Sequence, residues 1–189
     1  MDGCIADWNT PAVKMLKELE SPSEAGLYDY DNVHLMQDKY PHFEARVNLI
    51  MERKGFWLNL NPIPAGIQLY WKLTQHFDTY ILTKAPPMSS LAWGEKIDWL
   101  HKHIDPNIKK VITVSHDKGM VYGDIFFEDY GKNVRSWTAK HPHGHIILPD
   151  RTWNQEVNHP NVHRWKDNLA YETNNYSIPD MVIEKVLNA

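Results

Sequence analysis

Four stretches of this chain hold side chains whose types and places could do chemistry. The opening run Met1-Asp2-Gly3-Cys4-Ile5-Ala6-Asp7-Trp8 sets two carboxylates around a glycine and small or apolar residues, the pattern left where a buried strand ends in a reactive loop. Thr83 closes Tyr80-Ile81-Leu82 and precedes Lys84-Ala85-Pro86-Pro87; a hydroxyl there can donate to a phosphate oxygen, though Thr also commonly ends strands and starts turns. Lys118 lies four residues beyond Val114, in Ser115-His116-Asp117-Lys118-Gly119, where an ammonium can neutralise a phosphate and a carboxylate together; an exposed loop lysine is the alternative. Glu128-Asp129 follow the apolar Ile125-Phe126-Phe127, with Asp124 just before. Adjacent acids at the tip of a buried strand repel unless a cation sits between them, and a hard cation such as Mg²⁺ takes oxygen ligands that it shares with a substrate phosphate.

These candidates need elements to hold them, and the hydrophobic pattern supplies some. Strands are expected at 79–82, 110–114, 124–127 and, last, 145–148, alternating with helices at about 65–76, from Ser89 or Ser90 to Ile104, and at 131–139. The Ser89/Ser90 helix should bury the stripe Trp93, Ile97, Leu100 and Ile104. Strand and helix in alternation indicate an α/β protein with a doubly wound parallel sheet, and such sheets bind ligands beyond the carboxyl ends of their strands. Each candidate occupies such an end. Earlier in the chain, Thr10 reads as the cap of a helix with Pro11 in its first turn, and a second helix runs from about His42 with Phe43, Val47, Ile50 and Met51 on one face until Gly55. Residues 24–41 have no strong period, and residues 155–189 are polar and Asn-rich until a helix from Pro179. Residues 9–60 then form a small helical insert, and residues 1–8 and 61–189 the main domain.

Bulk properties narrow the class of partner. A formal charge of −4 over 189 residues, with no basic run, argues against a nucleic-acid polymer or an anionic membrane surface. No apolar run approaches the ~20 residues of a membrane span. The single Cys rules out an internal disulfide framework and fits a reducing, cytoplasmic setting. Cys4 itself reads as a small packing residue. His141-Pro142-His143-Gly144-His145 could chelate a transition metal, but no second cluster completes a ligand set, and a loop leading into a strand is the plainer account. The partner is expected to be a small molecule, and a homodimer is compatible with the sequence.

Taken in order, Asp2, Thr83, Lys118 and Glu128-Asp129 resemble the four motifs of the haloacid dehalogenase-like (HAD) phosphohydrolases. The long gap between Asp7 and Thr83 suits members with a cap inserted after the first motif. Within that superfamily the chain is most similar to the 5'(3')-deoxyribonucleotidases, through Met-Asp-Gly-Cys-Ile-Ala-Asp, residues 55–64, Ile81-Leu82-Thr83, His116-Asp117-Lys118, residues 124–129 and residues 147–154 with Trp153-Asn154. The resemblance implies a HAD-like Rossmannoid core with a helical cap, and a Mg²⁺-dependent phosphatase acting on nucleoside, chiefly deoxyribonucleoside, monophosphates through an aspartyl-phosphate intermediate. It makes Asp2 the general acid/base with its main-chain carbonyl on the metal, Thr83, Lys84 and Lys118 the phosphate side of the substrate site, and Glu128 and Asp129 the remaining metal-side acids. Phe56 and Trp57 would line the nucleobase pocket, unless they form a hydrophobic seam. The family's nucleophilic aspartate falls one residue ahead of Met1, so an upstream strand carrying it is expected; a nucleotide-binding protein lacking the nucleophile, or a phosphatase for another phosphometabolite, is the alternative. Lys84-Ala85 stand where those nucleotidases often have a second hydroxyl, and Tyr130 where they often have Arg, which leaves base and sugar preference open.

Overall fold

The computed structural model describes residues 1–87, 89–113, 117–167 and 173–189. Val114, Ser115 and His116, parts of an expected strand and loop, lie outside them. Mixed α/β structure is observed, with parallel strand pairs. In chain order the strands are β1 (Ala6–Asp7), β2 (Asn61–Pro62), β3 (Ile81–Thr83), β4 (Val111–Thr113), β5 (Ile125–Phe127), β6 (His145–Pro149) and β7 (Val162–Trp165). The α-helices are α1 (Asn9–Glu18), α2 (Val33–Lys39), α3 (Pro41–Met51), α4 (Pro64–Thr74), α5 (Ser90–His103), α6 (Gly131–Lys140) and α7 (Ser177–Leu187). They fall into two compact units, Met1–Ala6 with Pro62–Lys84 and Lys110–Ala189, and Asp7–Asn61 with Ala85–Lys109.

The first unit is built on β3 paired with β4 and, separately, on the parallel trio β5-β6-β7. Strand residues alternate faces, and β6 uses the alternation fully. Ile147 joins Leu69 of α4, Trp165 and Val182 of α7 in one apolar cluster, while Ile146 and Leu148 join Phe126, Val134 and Trp137 of α6 in another. Between β3 and β5 runs a cavity of about 350 Å³, lined by Met1, Cys4, Leu82, Phe126, Phe127 and Trp137 among others. At its end the Met1 ammonium, on a residue only 5% exposed, donates to the Leu82 carbonyl at 3.4 Å.

The second unit is helical. Its α1, α2 and α3 bury Leu16, Val33, Met36, Phe43, Val47 and Ile50. Beside them Glu24 accepts from Arg46 at 2.9 Å, and Tyr28 packs on Phe43 with ring centres 4.9 Å apart.

Several local expectations are corrected. Thr10 is not the cap of α1: the Asp7 carboxylate takes the Thr10 N–H, and the helix already includes Asn9. Residues 24–41 are not irregular throughout, since Asn32 caps α2 by accepting from Leu35; seven residues are too short to display a clear period. The strand at 145–148 is not the last, because Val162–Trp165 adds to β6 in parallel. Its Val-His-Arg-Trp sequence is masked by polar flanks. On α5, capped by Ser89 as expected, the buried residues are Ala92, Glu95, Lys96, Trp99 and Leu100; Trp93 and Ile97 are only half-buried.

Candidate active site

β5 ends at Phe127, and the chain turns at once through Glu128, Asp129 and Tyr130 into α6. Glu128 and Asp129 are 2% and 7% exposed, and Lys118 is 6% exposed, so three ionisable groups share a dry site. Lys118 Nζ donates to Glu128 Oε2 at 2.6 Å. The other oxygen, Oε1, accepts from Asn133 Nδ2 at 2.9 Å and from the Tyr130 N–H at 3.2 Å. Burial works to raise the Glu128 carboxyl, but the Lys118 charge outweighs it and holds the group ionised below its usual range. Burial likewise works against the Lys118 ammonium, and Glu128 more than restores it. Among the described residues Asp129 has no ammonium bonded to it: burial, then the neighbouring Glu128 charge, outweigh the pull of Lys118 and Arg151 and push it up to about 7. Its Oδ2 accepts from the Trp153 indole at 3.1 Å.

The opening loop closes on this acid. Gly3 adopts φ +68°, and a Cβ there would stand 2.0 Å from Asp129 Oδ2, so only glycine lets the loop approach so near. Arg151 braces the loop, donating to the Gly3 carbonyl at 3.1 Å while forking onto the buried Asp167 at 2.5 and 2.6 Å. Asp2 lies near enough for its charge to act on Lys118. Cys4 is fully buried, its thiol raised well above the ordinary value by burial and by Asp129, and its Sγ contacts the Phe127 carbonyl at 3.6 Å. Its burial is that of a packing residue, and the raised thiol disfavours the thiolate.

The structure thus brings Asp2, Lys118, Glu128 and Asp129 together in the first unit. Thr83 ends β3, buried and one residue beyond the Leu82 carbonyl that takes the Met1 ammonium, with half-buried Lys84 next. Phe56 and Trp57 belong to the other unit, both buried. His141 is engaged with the Gly119 carbonyl and His145 with His163. The pattern reading missed Asn133, Arg151, Trp153 and Asn154 as bracing residues, the last donating to the carbonyls of Asp129 and Pro149. Only Trp153-Asn154 had stood out, through a resemblance.

Among the described residues no group of three or more His, Cys, Asp or Glu forms a ready cage for a metal. The donor set nevertheless suits a hard divalent ion, which can take as few as one or two carboxylates and fill its remaining positions with water and phosphate. Asp129, buried beside a second acid and lifted to about 7, is a carboxyl that a cation placed beside it would hold ionised.

The family model for "5' nucleotidase, deoxy (Pyrimidine), cytosolic type C protein" matches residues 1–173. The chain belongs to this 5' nucleotidase family. By family it is a HAD-like phosphoric monoester hydrolase of the 5'-nucleotidase type. It is similar to the human cytosolic 5'(3')-deoxyribonucleotidase, 25% identical over 166 residues that cover 79% of this chain and 82% of the human one. A relative from Bordetella bronchiseptica named for the same activity is 23% identical over 90% of this chain and 93% of its own. The mouse mitochondrial 5'(3')-deoxyribonucleotidase is 26% identical over 47% of this chain and 41% of its own. Among its described residues this nucleotidase has no helix long and apolar enough to cross a membrane.

Proposed function

We propose that the protein hydrolyses nucleoside monophosphates, deoxyribonucleoside monophosphates in preference, with Mg²⁺ as the ion. The observation that carries the reading is the dry meeting of Lys118, Glu128 and Asp129 with the Asp2-Gly3 loop at the carboxyl ends of parallel strands. Lys118, fixed by Glu128, offers its remaining N–H groups and its charge to the phosphoryl oxygens, and the Thr83 hydroxyl and Lys84 hold the same group from β3. Asp2 protonates the leaving oxygen and then takes a proton from the attacking water. Asp129, with Glu128 and the Asp2 carbonyl, would hold the Mg²⁺, which when bound neutralises charge on the phosphate. Phe56 and Trp57, in a helical cap of residues 9–60, would line the nucleobase pocket, and the main domain would be a doubly wound parallel sheet. The reaction requires an aspartate nucleophile that forms an aspartyl phosphate. One free cysteine and the likeness to a cytosolic-type enzyme support a cytoplasmic setting.

The test is phosphate release with Mg²⁺ from a panel of nucleoside and other monophosphates. It is run on the 189-residue chain and on a form extended ahead of Met1 by an apolar strand ending in Asp. Deoxynucleotides should be among the better substrates of the extended form, and Asp2→Asn in that form should abolish turnover. Faster release from non-nucleotide esters would overturn the nucleotidase reading; full activity in Asp2→Asn would overturn the assigned acid/base. Nucleotide binding without release by either form would make the protein a binder.

A further inference from the structure

Glu95 sits on α5 where an apolar residue would be expected, and it is 6% exposed. Its carboxylate is engaged with main chain: Oε1 accepts from the Gly55 N–H at 2.6 Å, and Oε2 from those of Trp57 and Leu58 at 3.2 and 3.4 Å. Gly55 takes φ +85°, the left-handed conformation that lets the turn after α3 curl so that its N–H groups point to one spot. The turn is a nest of the kind that binds anions, and the protein supplies the anion from its own helix. Burying a carboxylate costs far more than packing requires, so a well-shaped apolar residue would have served a purely structural seam better. What the carboxylate adds is a fixed direction for the backbone of residues 55–58.

That backbone carries Phe56 and Trp57. Their rings meet edge to face at 5.1 Å, the Trp57 indole donates to the Met51 carbonyl at 2.8 Å, and Lys96 Nζ lies 4.0 Å over the Trp57 ring. Main chain, ring edge and ring face are thus each held by a separate contact, and two of the holders, Glu95 and Lys96, are neighbours on one helix. We infer that Glu95 is a positioning residue for substrate selection: by clamping the Gly55–Leu58 N–H groups it sets the Phe56–Trp57 pair that recognises the base of a nucleoside monophosphate. This rests on the proposed function, which puts those aromatics at the nucleobase. It goes beyond it in assigning selectivity for the base to a buried carboxylate that never touches the substrate.

The experiment compares equilibrium binding of a deoxynucleoside monophosphate and of inorganic phosphate to the full chain with Mg²⁺. The proteins are wild type, Glu95→Gln and Gly55→Ala, the last disturbing the same turn without altering the carboxylate. Both variants should lose roughly tenfold in nucleotide affinity, the size of one charge-assisted hydrogen bond, and should bind inorganic phosphate as wild type does. Equal losses for both ligands, or no loss for either, would overturn the positioning role. Should wild type hold the nucleotide no more tightly than phosphate, the base-recognition reading falls instead. Faster amide exchange at residues 55–58 in Glu95→Gln would then still report the clamp as structural alone.

Discussion

Lys118 acts on two buried carboxylates and is bonded to one of them. Its 2.6 Å bond to Glu128 leaves Asp129 to carry the cost of burial, which is why one acid of the pair is held low while the other rises to about 7. Such a site tolerates a cation near Asp129 and resists losing the one it has. Lys118→Met should therefore destabilise the protein by about 3–5 kcal/mol, because Glu128 would be left buried without a counter-charge. Unfolding by denaturant measures this, and a loss under about 1 kcal/mol, the level of an exposed ion pair, would contradict the buried geometry. Glu128→Gln together with Lys118→Met should recover much of the loss. At this scale the sequence was readable where a charged residue follows an apolar strand, as at Glu128-Asp129. It was silent on Arg151 and Asn133, whose roles come from folding distant loops together and leave no spacing to detect.

Among the elements, α4 sets the height of the opening loop. Gly66 in its first turn lies so close to that loop that a Cβ would stand 1.8 Å from the Cys4 carbonyl oxygen, a main-chain atom that cannot rotate away. On the other side of the loop Gly3 rests on Asp129. Gly66→Ala favours the helix intrinsically, yet it should force the loop toward the acids. The expected result is a net destabilisation of about 1–3 kcal/mol, the usual cost of overpacking. Thermal unfolding checks the sign: a variant as stable as wild type would mean that the loop yields freely. Element types were legible where an apolar run or a helical stripe was long, as in α3 and α4. Boundaries and short pieces were not. β3 starts at Ile81 rather than Thr79, and α2 and β7 have too few residues for a period to declare itself. The α5 face was misjudged because Glu95 and Lys96 are buried through contacts that a hydrophobic pattern reads as solvent-facing.

Across the whole molecule, proton binding is distributed unevenly, and the two ends of the β5-β6-β7 sheet pull stability in opposite directions with pH. Near the start of β6, His145 Nδ1 and His163 Nε2 lie 3.1 Å apart, one donating and the other accepting, so a second proton would break their bond. Burial first, then Lys185 of α7 and His145, lower His163 to about 4, and His145 is lowered by burial and Lys185. An unfolded histidine titrates near 6.5. Between that value and about 4 the unfolded chain therefore binds more protons, and the pair's contribution, complete above 6.5, is lost as pH falls. Asp129 acts oppositely: lifted to about 7, it binds its proton more readily when folded, which favours the folded state as the pH falls toward its unfolded value. Wild type alone would show only the sum, so the histidine share must be read by difference. His163→Gln, compared with wild type by thermal unfolding in EDTA, should show a smaller drop in Tm between pH 7 and 4.5, with the two curves converging toward the acid end. Parallel curves over that range would mean that the imidazole pair accepts protons as freely in the folded protein as in water.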